Sequence, residues 1–170
     1  SPASEVFRAI PMPPIAKRAG PLPVCPEDSE GSIVGLFEPL GEIISVEQED
    51  QLKILMSCAS IMATYYELIN VISKWLYSEG LPQKIAMRYT GALFDSLARD
   101  TIEASFVESE DMFDTLVAES QTPGGLNEQS LRKLKGNGWF TQVTETLQKV
   151  LQRVRGTAAN EYGSDESTAV

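Results

Sequence analysis

Leu52-Lys53-Ile54-Leu55-Met56-Ser57-Cys58-Ala59-Ser60-Ile61-Met62-Ala63-Thr64-Tyr65-Tyr66-Glu67-Leu68-Ile69-Asn70-Val71-Ile72-Ser73-Lys74-Trp75-Leu76-Tyr77 holds neither glycine nor proline, and its reading decides the fold class. Lys53, Ser57, Ser60, Thr64, Glu67, Asn70 and Lys74 recur every three or four positions, so the polar groups form one narrow seam on an otherwise apolar helix. At 1.5 Å per residue such a helix is about 40 Å long. A helix apolar on most faces is expected to be covered on most sides. A bilayer span is the competing reading, since Ile54 to Ile72 carries one charge. The hydroxyl seam, the mid-span Glu67 and the tyrosines argue against it, because charge inside a membrane is expensive.

Downstream of this run the punctuation is regular. Gly80-Leu81-Pro82 ends the helix and starts the next, with Pro82 suited to a first helical turn. From Gln83 to Ala104 a stripe of Ile85, Tyr89, Leu93, Leu97 and Ile102 predicts a second helix. Ser109 is a candidate cap for a short helix with Glu110 and Asp111 in its first turn and Met112, Phe113, Leu116 and Val117 on its apolar face. Thr122-Pro123-Gly124-Gly125 then makes a tight turn. Asn127 is read as the cap of a helix through Leu134, which Gly136-Asn137-Gly138 ends. A last helix presents Phe140, Val143, Leu147, Val150, Leu151 and Val154, and the residues from Gly156 onward read as a disordered acidic tail.

Upstream the chain changes character. Seven of the ten prolines fall in the first 26 residues, which restricts that region to short strands and loops. Val6 to Ile10 reads as one strand and Leu22 to Cys25 as another, at an edge; a short helix from Ser29 to Leu40 and a strand from Glu42 to Val46 follow. So few strands make no sheet of their own and read as the margin of a larger one. The fold class is therefore mainly α. About five helices, the first very long, follow edge strands; the segments are 1–49, 50–155 and a tail of 156–170.

Composition narrows the chemistry. The 170 residues are 42% hydrophobic, with a formal net charge of −10 and no histidine. The basic footprint that a nucleic-acid partner requires is missing. Without histidine there is no imidazole base and no Ser-His-Asp triad, and most zinc sites are excluded, so no metal site is expected. Cys25 and Cys58 are too far apart in sequence for a CxxC pair and read as reduced thiols of a cytoplasmic protein. Ser1-Pro2-Ala3-Ser4 has neither the basic start nor the apolar core of a secretory leader. With no initiator methionine, the chain reads as processed or trimmed.

Two places remain for chemistry. In the patch Ser57-Cys58-Ala59-Ser60, small side chains admit either a neighbouring helix or a ligand. At Thr122-Pro123-Gly124-Gly125, exposed amides ahead of a helix can receive an anion, or the segment is a plain connecting turn. No G-x-G-x-x-G follows a strand, no phosphate-binding loop of the GxxxxGK[ST] type occurs, and no serine sits in a nucleophile elbow.

In order and spacing these pieces resemble the latter part of pyrroline-5-carboxylate reductase, from about Glu5 to Arg155. The family's strand ends in M-P-N-T-P, where this chain has Ile10-Pro11-Met12-Pro13-Pro14. Its long helix bears S-G-S-G-P-A, here Cys58-Ala59-Ser60-Ile61-Met62-Ala63. The G-L-P break is Gly80-Leu81-Pro82, and the S-P-G-G-T-T turn is Thr122-Pro123-Gly124-Gly125-Leu126-Asn127.

The resemblance implies a helical domain that forms an interlocked homodimer beside a Rossmann domain that binds NADPH or NADH, here reduced to residues 1–49. It implies an oxidoreductase of the proline biosynthesis type, with hydride transfer to a cyclic imine, or a related keto substrate, held where the domains meet. By motif, Ser60, Pro123, Gly124, Gly125 and Asn127 line the substrate pocket, with the amides of Gly125 to Asn127 as anion donors. Met12 takes the place of the asparagine near the nicotinamide. Such chemistry needs no histidine, because the cofactor brings the hydride. This chain alone is expected to be inactive. The departures are Met12, Leu55 for a threonine, Cys58, Ala59, Ile61 and Met62 within the helix patch, and Leu126 and Asn127 for two threonines. The alternative is a paralogue whose helices serve only as a non-catalytic dimerisation or interaction module.

Overall fold

The computed structural model of the chain describes residues 6–28 and 31–157, so Glu5, the start of the predicted Ser29–Leu40 helix and the tail from 158 lie outside the described residues. The chain divides into two compact units: Ser1–Ile61 with Thr144–Val170, and Met62–Val143.

The first unit carries a small sheet of β1 (Arg8–Ala9), β2 (Pro21–Cys25) and β3 (Glu42–Ser45) in the order β1-β2-β3. β1 runs antiparallel to β2, with Arg8 opposite Cys25, and β3 runs parallel to it, with Leu22 opposite Ile43. The strand expected at an edge is thus the middle one of the three. The two prolines explain how. Successive residues of a strand aim their backbone groups to opposite sides. The Val24 carbonyl accepts from the Val46 N–H (2.9 Å) on the β3 side, and the Pro23 carbonyl accepts from the Ile10 N–H (3.0 Å) on the β1 side. The donors missing at Pro21 and Pro23 therefore all fall on the β1 side, where the ladder is only two residues long. The expected Val6–Ile10 strand shrinks accordingly. Between β2 and β3 lies the short helix α1 (Ser32–Phe37), whose entry is capped by the Asp28 carboxylate, accepting from the Ile33 and Val34 amides at 2.7 and 2.9 Å.

Helix α2 (Glu49–Cys58) packs on β2. Leu22, Val24 and Cys25 of the strand and Leu52 and Ser57 of the helix are buried. The helix opens on a capping box between Gln48 and Gln51, and Glu49 and Asp50 sit in its first turn, where acidic groups suit the dipole. Both are also paired: Glu49 with Arg8, and Asp50 with the Arg155 guanidinium through two hydrogen bonds.

The long helical run extends from Glu49 to Ser78, and by length and composition it could cross a membrane. It is not uniform. α2 gives way to a single 3-10 turn, Ala59–Ile61, before α3 (Met62–Ser78) begins. Two serine hydroxyls bond back to the main chain at this point. The Ser57 hydroxyl donates to the Lys53 carbonyl (2.8 Å) and the Ser60 hydroxyl to the Ser57 carbonyl (2.7 Å), back-bonding of the kind that bends helices.

In the second unit α3 ends in a Schellman motif. Gly80 takes the left-handed position (φ +101°), the Leu81 N–H donates to the Leu76 carbonyl, and the Gly80 N–H donates to the Tyr77 carbonyl. Pro82 then caps α4 (Gln83–Ser105), which folds back on α3. The seam is made of small residues: Ala86 and Thr90, both fully buried, with the Thr90 hydroxyl returned to the Ala86 carbonyl (2.9 Å) and an edge-to-face contact between Tyr65 and Phe94. The large residues read as the helical stripe are not the buried ones. Ile85, Tyr89, Leu93, Leu97 and Ile102 are all exposed, and α3 buries no residue, so the cover expected for an apolar helix does not come from the described residues. α5 (Met112–Glu119), α6 (Leu126–Gly136) and α7 (Trp139–Val154) complete the order; α5 starts after Asp111, later than a Ser109 cap would place it.

Two outcomes follow. Ala86→Leu overfills the α3–α4 seam and destabilises by about 1–3 kcal/mol, read as a lower urea midpoint. The Asp50 carboxyl lies below its ordinary value of 3.8, chiefly through the hydrogen bond from Arg155. A lowered carboxyl stabilises the fold above the ordinary carboxylate range and loses that contribution as the pH falls through the lowered value. Amide protection near Arg155, taken relative to the intrinsic exchange rate at each pH, should therefore fall in acid, and Asp50→Asn should lower it already at neutral pH.

Candidate functional site

The turn Thr122-Pro123-Gly124-Gly125 is fixed by steric limits. Gly124 has φ +75°, a conformation that L side chains rarely adopt. Gly125 is extended, but a Cβ added there would lie 2.8 Å from the Thr122 carbonyl oxygen and 3.3 Å from the Thr122 Cβ. That approach closes the turn, with the Gly125 N–H donating to the same carbonyl at 2.7 Å.

Gly125 is the residue that caps α6, so Asn127 lies inside the first turn of the helix instead of at its cap. Its side chain explains the displacement: Nδ2 donates to the Ser120 carbonyl (2.7 Å) just beyond the end of α5. The amides of Leu126, Asn127 and Glu128 occupy the first helical turn, where intrahelical bonding supplies no acceptor and the dipole favours negative charge. One such charge is already present. Glu128 Oε2 accepts from the Gly124 N–H at 2.5 Å. Sequence reading missed this residue, although an acidic group in a helix's first turn is a capping signal. A carboxylate there contributes about 0.3–1 kcal/mol to the helix, and an incoming anion must share the turn with it.

Ser60 lies in the 3-10 turn of the first unit. Its hydroxyl proton is committed to the Ser57 carbonyl, which leaves the oxygen to act as an acceptor. Ser57 is buried and turned to Lys53, a packing role. Met12 is extended and precedes the 3-10 turn Pro13–Lys17, its carbonyl accepting from the Ile15 N–H (2.9 Å). The structure thus gathers Pro123, Gly124, Gly125 and Asn127 into one turn of the second unit, while Ser60 and Met12 stand on separate elements of the first. A shallow cleft of about 560 Å³ reaches Glu128, with Val117, Gln121, Leu131, Arg132 and Lys135 on its walls. None of the site residues predicted from sequence lines it.

No protein-family model matches the chain, and no curated protein does. Solved structures do. A pyrroline-5-carboxylate reductase from Coxiella burnetii superposes with a TM-score of 0.73 at 19% identity over 91% of this chain and 57% of its own. A Plasmodium falciparum pyrroline carboxylate reductase with NADP bound gives 0.71 at 14% identity, covering 90% of this chain and 60% of its own. The 1-pyrroline-5-carboxylate reductase from Streptococcus pyogenes gives 0.70 at 14%, covering 88% and 58%. The chain has the fold of these reductases along nearly all its described length, with the largely helical architecture of their C-terminal domain. It spans less than two thirds of their length.

The turn provides its own test. Gly125→Ala forces Thr122 and the new methyl apart and should destabilise by about 1–3 kcal/mol. Gly124→Ala should cost about 1–2 kcal/mol for its left-handed backbone. A thermal midpoint unchanged in both variants would contradict the geometry described.

Proposed function

We propose that the intact protein is an NADPH- or NADH-dependent reductase of a cyclic imine, of the pyrroline-5-carboxylate reductase type, and that this chain is its substrate-binding and dimerisation part. The observation that carries the reading is the Pro123-Gly124-Gly125 turn opening α6 within a chain of this fold. Residues 1–49 are then the end of a Rossmann-type cofactor domain, and 50–155 the helical domain. The donor set here fits only part of the cofactor's needs. The chain has no glycine-rich phosphate loop, and it offers the extended segment at Met12 beside which a nicotinamide would lie. When bound, the dinucleotide supplies the hydride.

The chain's own groups do the rest. Amides of the first turn of α6 hold a substrate carboxylate. The Ser60 oxygen, left as an acceptor, suits the N–H of a protonated imine. A second copy covers the apolar side chains that α3 and α4 leave in solvent, among them Tyr66, Trp75, Tyr89 and Leu93, because exposed apolar surface on this scale marks an interface. Cytoplasmic placement belongs to the same reading, supported by the unpaired thiols Cys25 and Cys58. The net charge of −10 disfavours nucleic acid as a partner, and the polar seam of the long helix disfavours a membrane.

A second reading, a non-catalytic dimerisation module, draws support from one observation. The Glu128 carboxylate and the Asn127 amide are spent inside the chain, on Gly124 and Ser120, at the turn that would receive substrate.

Hydride transfer from NADH and NADPH to pyrroline-5-carboxylate by the full-length protein separates the two. Measurable turnover is expected, with Ser60→Ala lowering kcat/KM by roughly 10-fold or more, the worth of a hydrogen bond to a charged group. Turnover at background with every imine offered would leave only the second reading. Sedimentation of this chain should give a dimer at micromolar concentration, and a monomer there would remove the dimer from both.

A further inference from the structure

We draw no further inference here: the strongest candidate, the cleft of about 360 Å³ between α3 and α4 walled by Tyr66, Asn70, Lys74, Tyr77 and Met87, carries none, since nothing in the structure shows what covers it.

Discussion

The close packing of α4 on α3 is the contact from which the helical unit is organised. Helices approach one another as nearly as the side chains at their seam allow, and here the fully buried seam residues of α4 are Ala86 and Thr90. Small residues at these two positions bring the backbones close, while Tyr65 and Phe94 meet edge to face in the same seam. Ile85, Tyr89 and Leu93 turn outward, and α3 shows its aromatic side chains to solvent. The Schellman motif at Gly80 and the capping proline at position 82 keep the two helices in register, and α5 packs in turn on α4. Few apolar side chains are left to form a core of the usual kind, so the apolar character that makes these segments helical is largely unspent among the described residues.

Local signals were legible in the sequence because they act locally. Glycine and proline at positions 80 and 82 terminate and restart a helix whatever surrounds them, and the break falls where they stand. The turn at Pro123 to Gly125 was found for the same reason. Where sequence reading departed from the structure, the deciding interaction was not local. Asn127 looks like a cap, but its amide reaches back seven residues to Ser120, and Gly125 takes the cap instead. The proline-rich strand looks like an edge until it is clear that both missing donors face the same short neighbour. In α4 the large residues were the visible pattern, and the small ones made the contact. Glu128 is the exception, a local contact four residues from Gly124 whose first-turn capping signal is present in the sequence once Gly125, and not Asn127, is taken as the cap.

The long helical run shows how side-chain hydroxyls can edit a pattern without breaking it. Periodicity alone reads Leu52 to Tyr77 as one helix, and the chain is helical throughout. Yet Ser57 and Ser60 each return a proton to a carbonyl one turn back, and one turn winds tighter where they do so. One of the two sequence boundaries between the compact units falls at the end of that turn, between Ile61 and Met62, and the other between Val143 and Thr144.

The glycine pair at 124 and 125 divides its neighbourhood into positions that can change and positions that cannot. A left-handed backbone at one and a carbonyl 2.8 Å from any added carbon at the other leave no room for drift. Immediately after them, Leu126 is 83% exposed and meets no such limit. A lineage could therefore exchange the residues that flank the turn while the backbone that presents its amides stayed the same. Change is channelled into the side chains on either side, and the scaffold beneath them is held by the absence of any side chain at all.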